Sequence, residues 1–96
     1  MLIKKIINDI IKNQEIKYNN GKYIGQVVNG MAEGKGICYF INGDRYEGDF
    51  RNDKREGKGI YYYNNGDREM GDYYNDKPIG KHAVLTKNGE VKTKYY

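Results

Sequence analysis

The chain has few of the residues from which catalytic and metal sites are usually built. Its 96 residues include one cysteine, Cys38, and one histidine, His82. A single cysteine excludes an internal disulfide. One cysteine and one histidine also cannot supply the ligands of an ordinary zinc site. We therefore expect no metal, no cofactor and no catalytic residue, which predicts that the protein is not an enzyme.

Long apolar runs are missing as well. No stretch of about 18 apolar residues occurs, so no membrane-spanning helix is predicted. The apolar start of the chain is interrupted by Lys4, Lys5 and Asp9, and no small-residue cleavage site follows, which argues against a signal peptide. We expect a cytoplasmic protein, with association to a membrane surface as an open alternative.

The charge is weakly positive and unevenly distributed. Of a formal net charge of +4, residues 1–22 contribute +3, residues 23–68 contribute 0 and residues 69–96 contribute +1. A surface that binds duplex nucleic acid needs a basic stripe. Since residues 23–68 hold seven basic and seven acidic side chains, we expect no such stripe and no nucleic-acid partner.

What the chain does contain is a repeat of 23 residues. Nine of the thirteen glycines follow this one period. They are Gly25, Gly48 and Gly71, then Gly34, Gly57 and Gly80, then Gly43, Gly66 and Gly89. A fixed period of this length is typical of a stacked array of supersecondary units. The repeat directs the search for function to a surface rather than to a catalytic pocket.

The second copy, residues 46–68, predicts a hairpin. Residues 46–51 alternate between apolar and charged, which indicates a strand, and residues 57–63 form a second strand. The polar residues 52–56 predict the turn between them. Residues 64–67, with the sequence NNGD, predict a second tight turn that leads into the next copy. Three such copies in series predict one antiparallel meander.

The strand glycines predict how such a sheet obtains a core. A glycine inside a strand usually marks the close approach of a neighbour. We expect aromatic rings to lie over these gaps, so that a single-layer sheet has a core of its own stacked rings. The rings are those of Tyr46, Phe50, Tyr61 and Tyr63, and the gaps are at Gly48, Gly57 and Gly59.

The second copy resembles a MORN repeat (membrane occupation and recognition nexus). It has the start YEGDF at residues 46–50, the centre GKG at residues 57–59 and an aromatic end before Gly66. The resemblance covers residues 18–91, with copies at 23–45, 46–68 and 69–91. It implies a mainly β protein built as a single-layer antiparallel meander of MORN-type hairpins. It also implies a non-catalytic interaction or scaffold module that mediates protein–protein association, including association with itself.

The third copy departs from this pattern. It keeps Gly71, Tyr73 and Gly80, but His82 stands where the earlier copies have the second glycine of the centre. Because terminal repeats are usually atypical, we interpret residues 82–96 as a capping hairpin whose last part, residues 92–96, is an edge strand. His82 is then a capping residue rather than a catalytic base, and Cys38 a small apolar residue rather than a nucleophile.

The first 17 residues predict an amphipathic helix. Apolar residues recur at the i, i+3, i+4 spacing of one helix face, with lysines opposite. The candidate interaction residues on the apolar face are Ile3, Ile6, Ile7 and Ile10. The candidate lipid-contact residues are Lys4, Lys5 and Lys12.

Strand alternation places a second apolar set on the face opposite the rings. The candidates are Ile37, Tyr39, Ile60, Tyr62 and Leu85, in columns one repeat apart.

The helix has three alternative docking sites: its own sheet, another protein or second copy, and a membrane surface. Two other functions therefore stay open. One is a peripheral membrane protein that binds acidic phospholipid headgroups, and the other is a small-ligand binding protein or an accessory to a separate enzyme.

Overall fold

The structure, a computed structural model, describes residues 14–96, and in that range it is one sheet of eight strands. The strands are β1 Gln14–Tyr18, β2 Gly21–Val28, β3 Met31–Phe40, β4 Arg45–Arg51, β5 Lys54–Tyr62, β6 Arg68–Tyr74, β7 Lys77–Leu85 and β8 Val91–Tyr95. Each strand pairs antiparallel with its neighbour in sequence. The predicted single-layer antiparallel meander is confirmed.

The predicted N-terminal helix falls mostly outside the described residues. Its last part does not: residues 14–17 belong to β1, so the prediction is wrong for them. Residues 14–18 pair with residues 21–25 of β2, and Ile16 packs against the buried core of the sheet. Pairing with β2 satisfies the backbone groups that face β2 and half-buries Ile16, which explains the strand conformation of this segment.

The turn at Asn52 is shorter than its polar sequence suggests. Residues 52–56 were expected to form the turn, but β5 already begins at Lys54. Only Asn52 and Asp53 turn the chain, with φ values of +50° and +67°. Two successive positive φ angles define the tight type I′ hairpin turn, and asparagine and aspartate tolerate this conformation. Asn75 and Asp76 repeat the arrangement one copy later, with φ of +52° and +69°.

The glycines serve two different purposes. Gly57, expected to lie beneath a ring, has instead a φ of +73° at a point where the register between β4 and β5 shifts. Such a bulge needs a residue that adopts positive φ without strain. Gly59 does lie beneath a ring, because a side chain there would overlap the ring of Tyr46. The ring-over-glycine prediction is therefore confirmed for Gly59 and wrong for Gly57.

The core is a file of rings held above the glycines of the next strand. Tyr23 and Tyr46 are fully buried, and they cover Gly36 and Gly59 respectively. The two hydroxyls also hold their own strands, because Tyr23 donates to the carbonyl of Gln26 at 2.7 Å and Tyr46 donates to that of Asp49 at 3.2 Å. Phe50 packs edge-on against both rings, at centroid distances of 4.8 and 5.2 Å.

Turn aspartates tie each repeat to the next. Asp53 accepts a hydrogen bond from the amide of Ala32 at 2.7 Å, and its own amide donates to the Ala32 carbonyl at 3.0 Å. At the other end of the strands, Asp44 accepts from the amide of Asn64 at 2.7 Å. Each of these bonds links neighbouring repeats at one end of the strands. They hold the repeats together in addition to the hydrogen bonds between the strands.

Replacing Gly59 by alanine tests the ring-over-glycine contact. The added methyl group overlaps the Tyr46 ring and the strand must shift, so we expect Gly59→Ala to lower the free energy of unfolding by about 3 kcal/mol, measured by urea denaturation. The matched control is Gly30→Ala, where φ is +76° but no atom lies within contact of the new methyl. That variant should cost about 1 kcal/mol, from backbone conformation alone. Equal costs for the two variants would contradict the steric explanation.

Candidate interaction surface

The face of the sheet opposite the rings, the outer face, presents its side chains in rows that run across the strands. Strand register defines them, because residues paired on neighbouring strands lie side by side. We name two rows. The apolar row consists of Glu15, Ile24, Ile37, Glu47, Ile60, Met70, Ala83 and Thr93, and it is apolar between Ile24 and Ala83 except at Glu47. The cationic row consists of Lys17, Lys22, Tyr39, Arg45, Tyr62, Arg68, Leu85 and Val91.

The apolar row contains two of the candidate residues predicted from sequence. Ile37 and Ile60 lie in it, but they are not neighbours, since Glu47 of β4 stands between them. Met70 follows Ile60 and is 45% exposed, whereas both isoleucines are half-buried. The row therefore offers an apolar strip that is interrupted once by a carboxylate.

The cationic row groups cations that the net charge of residues 23–68 does not show, and the expectation that no nucleic acid is bound stays a prediction. Tyr39, Tyr62 and Leu85, predicted to form an apolar column, alternate here with Arg45 and Arg68. With Lys17 and Lys22 the row holds four cationic side chains and no acidic one. Counting charges over residues 23–68 hid this row, because the acids that balance it lie in other rows or in the turns.

Tyrosine rings and two carboxylates contact the cations of this row, since Glu15 lies 3.9 Å from the ammonium of Lys22 and Glu47 binds Arg45. The guanidinium of Arg45 lies 3.8 Å from the centroid of the Tyr62 ring, and its Nε donates to Glu47 at 3.2 Å. The ammonium of Lys22 lies 5.7 Å from the centroid of Tyr39. Stacking of a guanidinium on an aromatic face is favourable and leaves its edge exposed. Arg45 is therefore held in place through its ring contact and its Nε, and its terminal nitrogens make no hydrogen bond within residues 14–96.

The next row along the strands is balanced in charge over β3 to β6. Lys35 forms an ion pair with Asp49, and Lys58 forms one with Asp72 at 3.3 Å. Exposed pairs of this kind contribute little to stability. These pairs make the row on one side of the apolar row neutral. The cationic row, on the other side, keeps a net positive charge.

The candidate residues of the N-terminal segment lie outside the described residues. These are the apolar residues Ile3, Ile6, Ile7 and Ile10 and the lysines Lys4, Lys5 and Lys12. Where this segment docks stays a prediction.

A buried pair of titratable groups replaces the tyrosine–glycine contact in the third copy. Glu69 stands where the first two copies have Tyr23 and Tyr46, and it is 2% exposed. His82 stands in the place of the covered glycine, and its fully buried ring lies over Gly71. In the second copy the ring belongs to the first strand of the pair, as Tyr46 of β4. In the third copy it belongs to the second strand, as His82 of β7.

The histidine also takes over the hydrogen bond of the missing tyrosine. Tyr46 donates to the carbonyl three residues further along its strand, that of Asp49. The equivalent carbonyl in the third copy belongs to Asp72, and Nε2 of His82 lies 2.9 Å from it. Because a carbonyl only accepts, Nε2 carries the proton of this bond. This side chain completes the core, and its full burial supports the interpretation of His82 as a capping residue.

Glu69 is held ionised by the groups around it. Burial opposes its charge, but the hydroxyls of Tyr96, at 2.6 Å, and Tyr63, at 2.8 Å, donate to the carboxylate, and Lys94 lies 3.8 Å away. Together with the His82 ring they lower the pKa of Glu69 below its ordinary value. Nδ1 of His82 is 2.8 Å from the carboxylate, although out of line for a hydrogen bond. The cluster fastens the last residue of the chain to the end of the array.

The described residues show little that resembles a reactive centre. Burial raises the pKa of the Cys38 thiol, an effect that Arg55 opposes only in part, which disfavours the nucleophilic thiolate. Within residues 14–96, no group of three histidine, cysteine, aspartate or glutamate side chains is placed to hold a metal ion. The same residues contain no helix with the length and apolarity needed to cross a membrane.

Comparison with known proteins finds a family to which the repeat is similar. The family model described as MORN repeat matches this chain twice, at residues 23–45 and 46–68. Both matches begin at the buried tyrosine, Tyr23 or Tyr46, and they stop where Glu69 takes the place of the third. No curated protein gives a significant match.

Acidic pH should reveal the contribution of Glu69. Its folded-state pKa is lowered, so its stabilisation is fully present above the unfolded-state pKa of about 4.3 and is lost as pH falls through the folded value. We expect Glu69→Gln to cost about 2 kcal/mol at pH 7, since hydrogen bonds to a charged group are lost. The difference from wild type should narrow below pH 4 in urea denaturation series. A difference that is constant from pH 7 to pH 3 would contradict this role.

Moving the third-copy pair into the second copy tests whether the two contacts are equivalent. Tyr46→Glu and Gly59→His should each lower the free energy of unfolding by about 3 kcal/mol or more, because one removes a buried ring and the other overlaps it. In the double variant the histidine can take the place of the ring and reach the Asp49 carbonyl. We expect a favourable coupling of about 1–2 kcal/mol in a double-mutant cycle. A double variant less stable than either single one would show that the contacts are not equivalent.

Proposed function

Because the chain carries two consecutive MORN repeats, residues 23–45 and 46–68, we propose that it is a non-catalytic interaction module whose outer face binds a protein partner. MORN repeats are generally modules for interaction with proteins or membranes. The proposal goes further in choosing protein association, either with a separate partner or with a second copy of this chain.

The observation that carries this proposal is the apolar row of a sheet that has only one layer. Ile60 and Met70 line a shallow groove together with the charged residues Glu47, Lys58 and Asp72, and residues 14–96 contain no second layer that covers it. The fold does not use this side, since the ring core lies on the other face. An apolar strip rimmed by charged side chains is typical of a protein interaction site.

Small-ligand binding has less support. A concavity on the ring side is lined by Tyr18, Cys38 and Phe40 among others. The charged groups there are engaged: Asp53 accepts from Tyr18 and from the amide of Ala32, and Arg55 pairs with Asp76 at 2.8 Å. Their hydrogen bonds hold the turns together, so this concavity serves the fold.

The interaction is tested with charges placed in the apolar row. A photoreactive residue at position 70 is used to crosslink the partner in cells, and the purified partner is then titrated against the wild type and against Ile37→Glu with Ile60→Glu. Loss of the two isoleucine contacts is expected to raise the Kd at least tenfold, because an apolar side chain that becomes fully buried at the interface contributes about 1.5–3 kcal/mol.

The control variant is Ile41→Glu, since Ile41 is 81% exposed in the β3–β4 turn and lies off the row. Its Kd should equal that of the wild type. Sedimentation equilibrium of the chain alone distinguishes a second copy from a different protein. An unchanged Kd for the double variant, or binding to acidic phospholipid vesicles in place of any protein, would contradict the proposal.

A further inference from the structure

The spacing of the two rows restricts what can lie on them. Neighbouring rows are two residues apart along a strand, about 6.5–7 Å, and Arg45 and Arg68 are two strands apart, about 9.5 Å. A partner that contacts both rows must therefore present an apolar stripe beside groups that repeat every 9–10 Å or so. This inference rests on the proposed function of the outer face.

A helix meets this requirement better than an extended segment. Backbone groups of the sheet are used in the ladder, so a strand laid across the face would bury its own amides and carbonyls without partners. A helix satisfies its backbone internally. Residues seven apart on one helix face are about 10.5 Å apart, close to the separation of Arg45 and Arg68. The stretch from β3 to β6 corresponds to about three helical turns.

The charge of the two arginines specifies the flank of that helix. Arg45 is fixed by Tyr62 and Glu47 through its ring contact and its Nε, so its terminal nitrogens remain for an outside acceptor. Among residues 14–96, Arg68 lies within ion-pair distance of no carboxylate. Guanidinium groups presented in this way match carboxylates, which they bind through two parallel hydrogen bonds.

We propose that the outer face binds an amphipathic helix of a partner protein whose apolar stripe lies on Ile37, Ile60 and Met70. Carboxylates seven residues apart on one flank of that helix meet Arg45 and Arg68. The partner class is thus an acidic-flanked amphipathic helix, lying across strands β3 to β6.

Charge complementarity favours this occupant over two others. Residues 1–13 of the chain carry Lys4, Lys5 and Lys12 against Asp9, so this segment, from the same chain or from a second copy, would bring cations to a cationic row. An anionic membrane would press against the whole face, which includes the carboxylates of Asp49 and Asp72 outside the two rows. A single helix, about 10 Å wide, covers the two rows alone.

The test uses synthetic helical peptides as probes. Three capped 18-residue peptides share one leucine stripe and carry glutamate, glutamine or lysine at two flank positions seven apart. Fluorescence anisotropy against the full chain is expected to give the glutamate peptide the lowest Kd, at least tenfold below the lysine peptide. Raising the salt should reduce that difference, since exposed charges are screened.

Charge reversal in the chain supplies the decisive comparison. Arg45→Glu with Arg68→Glu should reverse the preference, so that the lysine peptide binds at least tenfold more tightly than the glutamate peptide. The matched control, Lys77→Glu with Lys92→Glu, has the same change in charge outside the two rows and should keep the wild-type preference. Circular dichroism and a urea transition check that each variant is folded.

The other outcomes overturn the inference in distinguishable ways. If the three peptides bind equally and Ile60→Glu abolishes all binding, the outer face is an interaction surface but the acidic partner is wrong. Binding of the chain to vesicles containing phosphatidylserine, abolished by the arginine reversal and without peptide binding, would assign the row to a membrane. A third outcome is that the chain binds neither peptides nor vesicles, while its affinity for the crosslinked partner still depends on Ile37 and Ile60. That outcome would reject the helical partner and keep the outer face as a protein interaction surface.

Discussion

A tyrosine ring above a glycine of the adjacent strand is the contact on which this sheet depends. A single layer has no second layer against which to bury side chains, so it must bury them against its own backbone. Tyr46 does so over Gly59, with its hydroxyl on the Asp49 carbonyl, and Tyr23 does the same over Gly36. The consequence is an asymmetric sheet, in which one face carries the core and the other face has no part in it.

The third copy shows which part of that contact is required. Glu69 and His82 differ chemically from tyrosine and glycine, yet a ring still lies above a glycine and a donor still reaches the carbonyl of Asp72. The third copy therefore keeps a ring over a glycine and a hydrogen bond to the carbonyl, although different residue types provide them. The exchange leaves a buried carboxylate, which Tyr96 satisfies from the end of the chain. Hence Glu69, which replaces the tyrosine of the repeat, also anchors the end of β8 through its hydrogen bond with Tyr96.

The 23-residue period was enough to predict the meander and the ring over Gly59, because both follow from local alternation and steric need, but it wrongly placed a ring over Gly57. It did not predict the two-residue turn at Asn52, since a polar run does not show which residues adopt positive φ. The cationic row was also missed. Arg45 and Tyr62 are distant in sequence and become neighbours only through the register of β4 and β5. The 23-residue period alone relates Lys22, Arg45 and Arg68, but only the register places Tyr39 and Tyr62 between them.

The outer face then differs from the inner face in what determines its residues. Positions 22, 45, 68 and 91 are one repeat apart and hold Lys, Arg, Arg and Val, and nothing in the ring core depends on which residue is present. Each added copy would extend both rows by two strands, about 9.5 Å. The length of the outer face therefore depends on the number of copies. Its binding preference depends on side chains that do not contribute to the ring core. In this chain the arginines fall on two consecutive copies, and their separation of about 9.5 Å corresponds to about two turns of a helix.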